Sequence, residues 1–180
     1  MWHHTPPFYL SIVRSIFEHC SVIWCPQTAI HLSKFAAVQK RAIKWINGQQ
    51  FDSYSEDVFF AKQKELEILP IRLKFIQNSL ILFYKIVNGL IGICLPDYIT
   101  VAEATNLRYT RNTAPVVDGY DTSTYCCSIV PNCDSFRNSY FFRTMMLWNS
   151  LPVYIRQCEQ ISSFKVKLTG FLWSADTWPD

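Results

Sequence analysis

The residues of this chain best able to do chemistry are four histidines, seven cysteines and a short run of bases, and their spacing decides which chemistry. His19, Cys20, Cys25 and His31 gather near the start, and Cys126, Cys127 and Cys133 form a later group. A zinc module needs paired ligands at short regular spacing, so that four donors converge on one tetrahedral point. Here Cys20 and Cys25 stand apart, His31 follows, and no clean fourth ligand completes the set; the later group lacks a nearby histidine or a fourth cysteine. Cysteine is among the most often buried residue types, so both groups read as packing thiols. An odd count without framework spacing also argues against a secreted disulfide scaffold. The expectation is mostly buried thiols in a reducing compartment, nucleus or cytoplasm, with no metal site.

Catalysis finds less support. All four histidines precede residue 32, and no Ser or Cys sits in a Gly-flanked elbow that would present a nucleophile. The five glycines, at positions 48, 89, 92, 119 and 170, are isolated, so no loop cradles a phosphate. Glu56-Asp57 is the only adjacent acidic pair, and it reads as charge at a helix start.

The bases have a definite geometry. Net charge is +3, but residues 1–96 carry +4 and residues 97–180 carry −1. Between Glu18 and Asp52 there is no acid, while Lys34, Lys40, Arg41 and Lys44 all fall there. On a helix these four project within about a third of a turn, opposite the stripe of Leu32, Phe35, Val38, Ala42, Ile43 and Ile46. Such a ridge can neutralise backbone phosphates, and Trp45 beside it can stack on a base or sugar. A solvated face is the plainer reading, since any packed helix needs one.

The elements that would hold this ridge follow from periodicity. Thr5-Pro6-Pro7 opens a helix over Phe8 to Trp24, with Tyr9, Ile12, Val13, Ile16, Phe17, Cys20, Ile23 and Trp24 on its apolar side. Ser11, Arg14, Ser15, Glu18 and Ser21 take the polar side, and Cys25-Pro26 ends the run. Thr28 caps the ridge helix, which extends to about Asn47 before Gly48. Ser53 to Glu56 matches a capping box for a short helix through about Lys62. Pro70 opens a long helix, apolar over most of its circumference, that ends at Asn88-Gly89. A helix at about Phe136 to Asn149 and another from Ser162 or Ser163 to about Trp173 close the chain.

The expected fold is therefore mainly α: a helical bundle over residues 1–95, a loop-rich segment with short strands over 96–135, and a C-terminal helical segment over 136–180 that packs back on the bundle. Hydrophobic residues make up 49% and charged residues 17%, so a real core can form and some apolar surface is left for a partner. The Phe75 to Leu95 run contains Gln77, Asn78, Lys85 and Asn88-Gly89, which favours a buried helix over a membrane span. The start of the chain lacks a basic n-region, so a secretory signal is not expected.

Several stretches taken together resemble the C-terminal part of a LINE-type, jockey-like non-LTR retrotransposon reverse transcriptase. Tyr9-Leu10-Ser11-Ile12-Val13-Arg14-Ser15-Ile16-Phe17-Glu18 through Trp24 is similar to the segment that opens that family's thumb. Val38-Gln39-Lys40-Arg41-Ala42-Ile43-Lys44 resembles the stretch after it, and Leu82-Phe83-Tyr84-Lys85-Ile86-Val87-Asn88-Gly89 a later helix end. Thr110-Arg111 matches a short pair in the variable tail. Arg137 to Arg143, Leu147-Trp148-Asn149-Ser150-Leu151-Pro152, and Ser163-Phe164-Lys165 with Leu168 resemble the family's ending. The stretches keep the family's order across residues 9–168; His19 and Ser15 depart mildly from its usual Tyr and Pro.

The resemblance implies a thumb-like bundle that grips the template–primer backbone in the intact RNA-directed DNA polymerase. It implies no catalysis here, because Mg²⁺ in such enzymes is held by palm aspartates and this sequence has no Asp-Asp dipeptide. Nor is there room for fingers and palm before Tyr9. The expectation is a non-catalytic fragment without a cofactor, with Lys34, Lys40, Arg41 and Lys44 as its RNA or DNA contacts. Its other partners would be the missing palm domain or a second copy, through exposed apolar surface. Two alternatives stay open: a stand-alone nucleic-acid-binding relic and a helical protein-interaction module.

Overall fold

The computed structural model describes residues 9–46, 56–101, 126–128 and 131–174. The fold is mainly helical. A π-helical turn, Tyr9–Arg14, runs into α1 (Ser15–Glu18), followed by α2 (Ser21–Trp24), α3 (Ala29–Ile46), α4 (Glu56–Glu65) and α5 (Ile71–Val87). Two short strands come next, β1 (Ile99–Val101) and β2 (Cys126–Ser128), then α6 (Asp134–Arg137), α7 (Tyr140–Asn149), α8 (Val153–Arg156) and α9 (Ile161–Ser174). The chain forms two compact units, one of residues 1–78 with 172–180 and one of residues 79–171.

In the first unit, Tyr9, Ile43 and Ile68 form a buried cluster, with Val13, Ala42, Ile46, Phe59 and Leu66 packed around it. The opening segment departs from its expected form in two ways. It is not continuous: Cys20 takes a left-handed conformation at φ 51°, and the helix restarts at Ser21. Its faces are also exchanged in part, since Arg14 and Ser21 are buried while Ile12, Ile16 and Ile23 are exposed. The physical reason lies in the partners. The Arg14 guanidinium donates to the Glu18 carboxylate at 2.6 Å and to the Leu69 carbonyl at 3.2 Å, which offsets its lost hydration. Ser21 Oγ accepts from the Asn78 side-chain amide at 3.2 Å. The π-helical turn adds a second cause, because its wider repeat breaks the angular count on which the stripe was read.

Helix α3 starts where its sequence indicates and is described to Ile46; the expected stop at Asn47 and Gly48 lies outside the described residues. The Thr28 carbonyl accepts from the backbone N–H groups of His31 and Leu32, both at 3.1 Å, and the Thr28 hydroxyl lies 2.7 Å from His31 Nδ1. Its buried side holds Ile43 and an unanticipated Gln39, whereas Val38 is exposed. Helix α4 runs three residues past the expected Lys62, to Glu65, and Ser53 of the expected capping box lies outside the described residues.

The ends of α4 and α5 use the same device. At α5, Gly89 sits at φ 63°, its N–H donates to Ile86 O at 3.1 Å, and the Leu90 N–H donates to Lys85 O at 2.8 Å. This satisfies carbonyls the last turn would leave open, and glycine is the residue that tolerates the turn. At α4, Glu67 occupies the equivalent place at φ 53°, with Glu67 N–H on Lys64 O at 3.1 Å and Ile68 N–H on Gln63 O at 2.9 Å. A side chain in this conformation costs roughly 1–2 kcal/mol. Glu67→Gly is therefore expected to raise stability by about 1 kcal/mol once the extra freedom of glycine in the unfolded chain is offset. The readout is a higher urea midpoint at unchanged slope; an unchanged midpoint would show that the Glu67 side chain compensates for its own strain.

The second unit is organised around aromatic rings. Tyr84 and Phe164 stack with centroids 4.3 Å apart, and Trp148 lies 5.5 Å from Phe83, 6.4 Å from Tyr84 and 5.9 Å from Phe164. The Tyr84 hydroxyl donates to Cys158 O at 2.6 Å; burial raises its pKa, so it stays a neutral donor. Strands β1 and β2 pair antiparallel, with Ile99 opposite Ser128 and Val101 opposite Cys126, as the expected short strands allow. The Asn149 side chain grips the backbone of Cys126 from both ends, accepting from its N–H at 3.0 Å and donating to its carbonyl at 2.8 Å.

The expected helix from Phe136 to Asn149 is two helices. Ser139 is extended, at φ −62° and ψ 150°, and its carbonyl starts α7 by accepting from Arg143 N–H at 3.1 Å. Asn and Ser are weak helix formers, which suits a helix start better than an interior, although the Ser139 hydroxyl makes no capping bond. A further turn, α8, follows Pro152 and is held by Arg156 Nε donating to Leu151 O at 3.1 Å.

The cysteines do not match their expected burial. Among the described residues Cys126 and Cys158 are buried and Cys25 is half-buried, while Cys20, Cys94 and Cys133 are exposed. Cys20, Cys94 and Cys133 lie outside the helices and strands, but so does buried Cys158, so position on a connection does not by itself decide burial.

Candidate nucleic-acid interface

Helix α3 positions the four predicted bases. Gln39 and Ile43 anchor one side of it, and the opposite side faces solvent. Lys34 and Arg41 are exposed, whereas Lys40 and Lys44 are half-buried. The structure thus divides the expected ridge. Lys34, Arg41 and Trp45 share an arc of about 40°, with Lys44 and then Lys40 stepping away toward the packed side. Trp45 is 61% exposed, so its ring is available for stacking. Exposed Ile30 lies one turn before Lys34 on the same side.

Lys40 is partly committed elsewhere. Its ammonium lies 5.4 Å from the Phe59 ring centroid of α4, a distance at which the ring's electron-rich face attracts a cation. Lys34, Arg41 and Lys44 form no ion pair among the described residues. Helix α3 contains no acid to neutralise them. Chemically the arrangement can hold anionic groups by charge and a planar group by stacking.

Of the cysteine–histidine groups, His31 lies in the first turn of α3 itself. His31 Nδ1 is engaged with Thr28 Oγ1, and among the described residues no three His, Cys, Asp or Glu side chains come together in a way that would hold a metal ion. Among those residues no helix is long and apolar enough to cross a membrane.

Several residues that spacing did not single out for position prove structural. Arg14, Gln39 and Asn149 each bond a main-chain group far along the chain, Arg156 bonds Leu151 O close by, and Gln39 bonds two groups: it donates to Leu69 O at 2.9 Å and accepts from Ile71 N–H at 2.8 Å. For Arg14 the four-residue spacing to Glu18 was an available signal. For Gln39 and Asn149 spacing offered no such signal. Trp148, Leu151, Phe164 and Leu168, from the stretches resembling a known family, are buried. Comparison of the chain with protein-family models, with curated proteins and with solved structures gives no match.

Proposed function

We propose that this chain is the non-catalytic C-terminal part of a retrotransposon RNA-directed DNA polymerase, the part that grips the template–primer backbone in the intact enzyme. The ordered resemblance across residues 9–168 supports the descent. The observation that carries the binding role is the acid-free, solvent-facing side of α3, where Lys34 and Arg41 flank an exposed Trp45. Cations on such a face neutralise phosphates without reading sequence. Mg²⁺ and the polymerase chemistry belong to the palm of the parent enzyme, not to these residues.

The test is charge reversal at Lys34, Arg41 and Lys44 together. RNA binding should weaken, and the slope of log K against log salt should flatten by about 0.7 for each single-strand phosphate that the protein no longer neutralises. A triple variant that binds as well as the parent ends the nucleic-acid reading. Sequencing the complete transcript upstream of the Met1 codon tests the descent separately. Continuation of the frame into an aromatic-x-Asp-Asp palm supports it, and a transcript that starts just before Met1 leaves a stand-alone relic.

The second reading is a helical interaction module, and the exposure of Ile16 at 66%, Ile23 at 82% and Ile30 at 71% favours it. In the intact enzyme the palm would cover such surface; in its absence self-association is the expected result. Sedimentation should then show mass rising with concentration. A sharp, concentration-independent melt of a monomer would overturn that expectation, and a stoichiometric protein complex that survives nuclease would favour this reading over RNA binding.

A further inference from the structure

We draw no further inference here: the strongest candidate, the surface patch of exposed apolar side chains at Ile12, Ile16, Ile23 and Ile30 on the opening helical segments and the start of α3, carries nothing because nothing in the structure shows what covers it.

Discussion

Trp148→Ala is expected to cost about 3–5 kcal/mol, the range for removing a fully buried large aromatic side chain. Its indole is 1% exposed and touches rings from two other helices, Phe83 and Tyr84 of α5 and Phe164 of α9. Truncation removes the apolar transfer term and leaves a cavity among rings that stack on one another and cannot collapse freely. Against a typical total stability of about 5–15 kcal/mol, the loss takes a large share. Urea denaturation followed by far-ultraviolet circular dichroism measures it, with Trp148→Phe as a milder companion that refills part of the space. A cost below about 1 kcal/mol for the alanine variant would place it with surface substitutions and refute the ring-centred core.

The second large effect is expected at Gln39. Its amide spans two main-chain groups beside Pro70: the Leu69 carbonyl and the Ile71 N–H. That N–H belongs to the first turn of α5, where no intrahelical acceptor exists, so Gln39 acts as a cap supplied from a different helix. Leu69 O keeps a donor in Arg14 Nη2 if Gln39 is replaced, but Ile71 N–H does not keep its acceptor. Gln39→Met preserves the length of the side chain and removes both hydrogen bonds. It should cost about 1–3 kcal/mol, the penalty for a buried donor left unsatisfied. Hydrogen exchange gives the specific readout: the Ile71 amide should lose protection while amides near the middle of α5 keep theirs. Equal protection at Ile71 in parent and variant would show that another acceptor replaces the glutamine.

The long helices were legible in sequence because their signals are local. Thr28 before an apolar period, Pro70 at a start and Asn88-Gly89 at a stop act on the backbone of their own turn, whatever packs around them. The break at Cys20 was not legible. Nothing in Glu18-His19-Cys20-Ser21 excludes a helix, and the residue that follows the break, Ser21, is tied to Asn78, 57 positions away. Burial of Arg14 was hidden for the same reason. Periodicity assigns a charged residue to solvent, and only the Leu69 carbonyl, 55 residues on, gives its guanidinium a reason to be inside. On α3 the arc of the bases could be drawn from spacing alone. The division of that arc could not, because it depends on where Phe59 of α4 comes to rest against Lys40.

Asn149 has a bearing on solubility. A two-stranded ribbon leaves an open row of backbone donors and acceptors on each outer edge, and open rows can recruit strands from other molecules. The N–H and C=O of Cys126 point away from β1, and the Asn149 amide occupies both as a neighbouring strand would. A single side chain from the end of α7 thus acts as a terminator for β2 at that position. An incoming chain finds no vacant pair there to extend.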